Sequence, residues 1–247
     1  TINSKLFQGC KFLKRVSMPN TVVKIKRLAF QDCHSLQDLR LSKKLGVINK
    51  RAFHRYTSLV PIKLPEGLNE LGKSTFEDCK GLRHLSTPST LDTIRRSSFS
   101  GCESLVELNL GDGLKRIEWS AFRCCCSLSA VFLPQSINYL GVSAFRGCKH
   151  LLGVEIPKPS IARQRDQQTL KVYTSSLFRY SNLVNVWVPS SKTPTHRMIA
   201  FHKCKRLQDE NSNRKALSEL LRHRFEGLPI HEVCYHASTR TVEDLLQ

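Results

Sequence analysis

The sequence predicts a repeat solenoid of the α/β type. Its 23-residue units stack short parallel strands into a concave sheet, and a short all-α segment follows at the C-terminal end. Three recurrences point to this. Cysteine stands at Cys10, Cys33, Cys79, Cys102, Cys125, Cys148 and Cys204, with early gaps of 23 residues or twice that. Phenylalanine keeps the same interval three positions earlier, at Phe7, Phe30, Phe53, Phe76, Phe99, Phe122 and Phe145. Proline returns at Pro19, Pro65, Pro88, Pro134, Pro157 and Pro189. A fixed period of this length marks units that bury their apolar faces only against their neighbours.

Within the unit, the strand follows the cysteine. Leu36-Gln37-Asp38-Leu39-Arg40-Leu41 ends in apolar–polar–apolar alternation, as do Leu105, Leu108, Leu110 and Leu128, Val131, Leu133. That is the period-2 pattern of a half-buried strand. Proline comes next, and because it has no N–H it ends ladder pairing and turns the chain outward. The columns Val22, Leu45, Leu68, Leu91, Leu114, Ile137 and Ile25, Ile48, Leu71, Ile94, Ile117, Leu140 then supply an opposite wall. Stacking eight strands gives a sheet of about 35–40 Å.

Two departures break the period. Leu177 stands 20 positions after Pro157, where other units have 11, a nine-residue insertion within 158–174 that carries Lys158, Arg163, Arg165 and Lys171 against Asp166. Insertions in solenoids loop out on one face. The ninth unit keeps Cys204 and Leu207 but places Glu210 and Ser212 in the strand columns. The repeat domain is therefore expected over 1–212, with eight to nine units, and a helical region over 213–247. Residues 214–225 carry Leu217, Leu220, Leu221 and Phe225 on one helical side, a pattern that would cap the open sheet edge. Because Ile2, Phe7 and Cys10 match the second half of a unit, the chain reads as opening within a repeat.

The segments Leu28-Ala29-Phe30-Gln31-Asp32-Cys33-His34-Ser35-Leu36 and Ser143-Ala144-Phe145-Arg146-Gly147-Cys148 resemble the BspA-like, surface-antigen type of leucine-rich repeat. That unit runs Ile, Ala-Phe, Cys, Ser-Leu, Leu, Pro, and the likeness extends over residues 1–207. The resemblance implies a binding or adhesion role and no cofactor. Further on, Leu228-Pro229-Ile230-His231-Glu232-Val233-Cys234 with Val242, Leu245 and Leu246 resembles the start of an ankyrin repeat.

No catalytic residue is assigned, since phosphate-binding loops, dinucleotide fingerprints, nucleophile elbows and zinc-protease helices are all lacking. No metal site is assigned either. Cys125 belongs to the core column, and its neighbours Cys124 and Cys126 alternate outward, so three thiols do not converge on one ion. His231, Cys234 and His236 are read as structural parts of the ankyrin-like segment. Unpaired cysteine is among the most buried residue types, and a regular ladder rarely offers disulfide geometry, so free thiols in a reducing compartment are expected. No apolar run is long enough for a transmembrane helix.

Function is then sought on the surfaces. On the concave face the first four units present five basic groups, Lys14, Arg15, Arg40, Lys63 and Arg83, against Asp38. The next four present Glu107, Glu155, Phe132 and Trp187 with no basic group. Aromatic residues at solvent positions mark contact sites. The expected partner is accordingly a protein or peptide with acidic character, anchored at Phe132 and Trp187. The net charge of +19 has a second home in Lys24, Lys26, Arg27, Lys50, Arg51, Lys73, Arg95, Arg96, Lys115 and Arg116, which flank the isoleucine column. Such a stripe attracts nucleic acid, anionic membrane or acidic protein. Specific nucleic-acid binding is disfavoured because aromatics do not interleave with these positions. The expected role is a non-catalytic protein-interaction scaffold in the cytoplasm, with a cell-surface adhesin as the alternative.

Overall fold

The computed structural model describes residues 1–57 and 62–155, together with the backbone of Lys171–Val172 and Asn185–Trp187. Each coil contributes two short strands. The first wall consists of β1 (Arg15–Ser17), β3 (Asp38–Arg40), β5 (Ile62–Lys63), β7 (His84–Ser86), β9 (Glu107–Asn109), β11 (Ala130–Phe132), β13 (Gly153–Glu155) and β15 (Asn185–Trp187). The second consists of β2 (Lys24–Ile25), β4 (Val47–Ile48), β6 (Glu70–Leu71), β8 (Thr93–Ile94), β10 (Arg116–Ile117), β12 (Tyr139–Leu140) and β14 (Lys171–Val172). Every pairing is parallel, and as far as β13 the register is one period: Val16 faces Leu39, Leu85 faces Leu108, and Ile94 faces Ile117. Hydrogen bonding runs β1-β3, β5-β7-β9 and β11-β13-β15 in the first wall, and β2-β4-β6 and β8-β10-β12-β14 in the second.

The sequence explains each corner. Pro19, Pro65, Pro88 and Pro134 offer their carbonyls to the N–H of Val22, Leu68, Leu91 and Ile137, closing a tight turn between the walls. In coils without proline, Ser42 and Gly111 do the same for Leu45 and Leu114. The third side is made of hydrogen-bonded turns, with no α-helix among the described residues. Two positions per coil there adopt left-handed backbone. One column is Lys5, Leu28, Arg51, Ser74, Ser97, Ser120 and Ser143, with φ of 54–62°. The other is Gly9, Asp32, Arg55, Asp78, Gly101, Cys124 and Gly147, with φ of 58–77°. Glycine and short polar residues reach this region at least strain.

Phenylalanine and cysteine fill the space between the walls. The rings of Phe7, Phe30, Phe53, Phe76, Phe99, Phe122 and Phe145 form one continuous stack, with centroids 5.0–5.5 Å apart and planes within 12°. The cysteine column is bound to that stack. The thiols of Cys33, Cys79, Cys102, Cys125 and Cys148 donate to the carbonyls of Phe7, Phe53, Phe76, Phe99 and Phe122 at 3.0–3.3 Å. Each of those carbonyls lies one coil back and, at Phe7, Phe76, Phe99 and Phe122, also accepts the backbone N–H of the cysteine in its own coil. A small apolar side chain with one weak donor suits a buried carbonyl that has a second lone pair. The eight cysteines among the described residues are free thiols.

Tyr56 takes the cysteine position in the third coil. It is 1% exposed, and its hydroxyl finds no hydrogen-bond partner among the described residues. Burial pushes its ionisation upward. Removing an unsatisfied buried hydroxyl while keeping the ring should help, so Tyr56→Phe is expected to raise stability by about 1 kcal/mol. The effect would be read as a higher urea midpoint at unchanged slope, and a lower midpoint would mean that the hydroxyl is bonded.

The interruption of the period is visible in the register. Tyr139 pairs with Lys171, and Gly153 with Asn185, at an offset of 32 positions, nine more than the usual 23. The extra residues therefore enter between Glu155 and Lys171. Lys171, which the sequence reading counted in the insertion, stands in β14, where its backbone pairs with Tyr139. Lys158, Arg163, Arg165, the ninth unit, the cap helix and the ankyrin-like segment lie outside the described residues.

Candidate binding surfaces

On the first wall, alternate residues point inward, so Ile62, Leu85, Leu108, Val131 and Val154 are buried while their neighbours face out. The cationic half is partly neutralised within itself. Arg40 pairs with Asp38 at 3.4 Å, and His84 pairs with Glu107 at 3.1 Å. Asn109 donates to the other oxygen of Glu107 at 2.7 Å. Arg15, Lys63 and Arg83 are exposed and make no ion pair among the described residues.

At the other end, the register puts Phe132, Glu155 and Trp187 in one row, with Glu155 between the two aromatic positions. Phe132, expected to be exposed, is half-buried. Burial also pushes the Glu155 carboxyl upward. The neighbouring row is small, Ala130 beside Gly153, and a side chain at Gly153 would have no atom within 4 Å. This part of the wall sets a carboxyl in register beside an aromatic residue, next to a row of small residues, which the count of exposed aromatics did not foresee.

The basic positions of the second wall fall into separate columns. Arg27, Lys50, Lys73 and Arg96 form one file, since their carbonyls accept the N–H groups of Lys5, Leu28, Arg51 and Ser74, each one coil back. Arg51 is a left-handed turn residue next to that file. Lys24, Glu70 and Arg116 belong to the strand column that also holds Val47, Thr93 and Tyr139. Arg95 lies 4.0 Å from Glu70, and Glu118 accepts the backbone N–H of Arg96 at 2.9 Å. Lys115 is bonded through its N–H to the carbonyl of Asp92. Lys26 is exposed at the edge of β2.

The expectation that aromatics do not interleave with these cations is corrected here. The Arg96 guanidinium lies over the Trp119 ring at 4.0 Å, and that of Arg116 lies over the Tyr139 ring at 3.9 Å. Each ring stands 23 positions after its arginine, so aligning the outer columns as carefully as the core columns would have found both. Exposed pairs of this kind contribute roughly 0.5–1 kcal/mol and hold the guanidinium flat.

The consecutive cysteines diverge. Cys124 occupies a left-handed turn position, Cys125 is in the core column, and the Cys126 thiol lies 3.7 Å from the carbonyl of Gly147. Among the described residues, no group of three or more His, Cys, Asp or Glu is placed to hold a metal ion. His231, Cys234 and His236 lie outside them.

The family described as BspA type leucine-rich repeat region matches residues 1–96 and 76–207, in six copies. No curated protein matches the chain. A leucine-rich repeat protein from Eubacterium ventriosum has a similar structure, with a TM-score of 0.65 and 22% identity over 76% of this chain and 48% of its own. One from Bacteroides ovatus gives 0.46 and 24% over 63% and 52%, and the T. pallidum leucine-rich repeat protein gives 0.45 and 26% over 71% and 78%. The chain spans about half the length of the first two. With its period, its phenylalanine stack and a family match reaching from residue 1 to residue 207, the chain belongs to the BspA-type leucine-rich repeat family.

Proposed function

We propose that this chain is a non-catalytic protein-interaction scaffold that seats an extended protein or peptide segment along the outward face of the first wall. The observation that supports it is the contrast between the two sides of the same strands. The inward residues are aliphatic in every described coil, whereas the outward ones change from coil to coil while the backbone register stays constant. Constant backbone with varying side chains suits a surface that reads a linear partner. Arg15, Lys63 and Arg83 favour acidic groups at one end. The aromatic positions Phe132 and Trp187, in one row beside the small residues Ala130 and Gly153, favour an apolar anchor at the other.

Peptides selected from a displayed library on the purified chain provide the test. Replacing both Phe132 and Trp187 by Ala is expected to weaken the selected peptides by about 2 kcal/mol or more, as for paired anchor residues. Charge reversal at Arg15, Lys63 and Arg83 should act mainly on the association rate. Undiminished binding to the Phe132→Ala, Trp187→Ala variant would remove this reading.

A second reading, a cell-surface adhesin, is supported by the family. BspA-type repeats resemble bacterial cell-surface proteins, which favours the surface over the cytoplasmic location that free thiols suggested. Labelling of intact cells with a membrane-impermeant reagent separates the two. No helix among the described residues is long and apolar enough to cross a membrane.

A further inference from the structure

The second wall carries a feature that a partner on the first wall leaves unused. Arg27, Lys50, Lys73 and Arg96 stand one above another in four successive coils, at the strand spacing of ~4.8 Å. All four are exposed, and none has an ion-pair partner among the described residues. Like charges in adjacent rungs repel, and sheets ordinarily avoid them. A file of four unneutralised cations is therefore held at a disadvantage that a bound line of anions would relieve.

The upper end of the file is built differently from a solvated stripe. In the fifth coil the column changes to Trp119, and the Arg96 guanidinium already lies on its ring at 4.0 Å. In the strand column alongside, Arg116 lies on Tyr139 at 3.9 Å. A guanidinium resting on a ring has lost much of its rotamer freedom before a ligand arrives. Its N–H fork remains at the rim, ready for a carboxylate or sulfate.

We propose that this file binds a linear anionic polysaccharide running along the solenoid axis, about one sugar to each coil. Three observations select this ligand among polyanions. The strand side of the file carries Glu70, Asp92 and Glu118 among Lys24, Lys26, Arg95, Lys115 and Arg116, so only the file itself is an unbroken line of cations. A flat anionic membrane or a nucleic-acid duplex would press on those carboxylates. Single-stranded nucleic acid needs open aromatic faces for its bases, whereas Trp119 and Tyr139 each have one face taken by an arginine. An extended acidic peptide repeats its same-side carboxylates every ~6.6 Å, out of step with the coils. A hexose in a linear chain is about as long as one coil step, so the acidic groups that face the file, on every sugar or every second or third one as the chain turns, stay in register with the cations.

The test uses the full chain at about 150 mM salt, with heparin fragments and polygalacturonate as probes and oligo(dT) and polyglutamate as competitors. The expected results are polysaccharide binding, a loss of ~tenfold or more in K50E/K73E/R96E, and a loss under ~threefold in R15E/K63E/R83E. Trp119→Leu leaves the net charge unchanged and should weaken binding by ~threefold or more through the loosened Arg96. The altered residues are exposed, so the variants should fold as the parent does. Equal losses in the two triple variants would mean that only net charge matters, and would overturn the proposal. So would an unchanged Trp119→Leu variant, or oligo(dT) or polyglutamate displacing both polysaccharides.

Discussion

Phe76→Ala is expected to lower the unfolding free energy by about 3–5 kcal/mol and to split the urea transition in two. The ring is fully buried, 5.2 Å from Phe53 and 5.4 Å from Phe99, with planes within 8° of both. Removing it leaves a hole that the coils cannot close. Phe76 N–H is bonded to the carbonyl of Ser98, and Phe53 N–H to that of Thr75, so coil spacing is set by the backbone. Two aromatic contacts, each worth roughly 0.5–1.5 kcal/mol, disappear together. Stability in a repeat array is a sum of unit and nearest-neighbour terms, so losing both interfaces of one coil uncouples the coils on either side. Phe7→Ala is the internal comparison. Phe7 is only partly buried and touches a single ring, that of Phe30 at 5.0 Å, so less than half the effect is expected. Equal losses at Phe7 and Phe76, with one transition in each, would refute a cooperative stack.

Gly141→Ala should destabilise the chain by about 1–3 kcal/mol, as overpacking does where the neighbour cannot yield. A methyl group there would sit 2.5 Å from the Trp119 nitrogen and 2.6 Å from the Glu118 carbonyl carbon, both backbone atoms. The same column carries a side chain at Lys26, Asn49, Arg95 and Glu118, whereas at Gly72 a methyl group would likewise press on the backbone nitrogen of Lys50, so the requirement belongs to particular coils. Thermal unfolding followed by circular dichroism checks it. A melting temperature within a degree of the parent's would mean that the two coils can move apart freely.

How much could be read beforehand depended on whether one residue type served one purpose. Phe30, Phe53 and Cys79 each serve one packing purpose, a ring stacked on a ring and a thiol bonded to a carbonyl. Their period therefore predicted both walls and the register. The surface follows no such rule. Arg40 turns to Asp38, His84 to Glu107, and Arg96 to Trp119, each choice made by the one side chain that happens to stand beside it, an identity that the outer columns do not repeat from coil to coil. Phe132 was read as exposed because its position is outward, but outward residues in short twisted strands also lean on one another, and it is half-buried. The left-handed columns were hidden for another reason. Leucine, lysine, arginine, serine, aspartate, cysteine and glycine all occupy them, so composition carries no trace of the backbone they adopt.

The thiol ladder bears on a question that cysteine counting was meant to answer. Disulfide exchange needs a thiolate, and burial makes that anion hard to form here. The Cys33 thiol is pushed up to about 11, and Cys79, Cys102 and Cys125 are pushed higher still, in each case chiefly by loss of solvent. At neutral pH these groups are protonated, bonded to phenylalanine carbonyls and out of reach of oxidants. The column is chemically mute. These four buried thiols would stay reduced on either side of a membrane, so their redox state records the packing of the coil and not the compartment in which the protein lives.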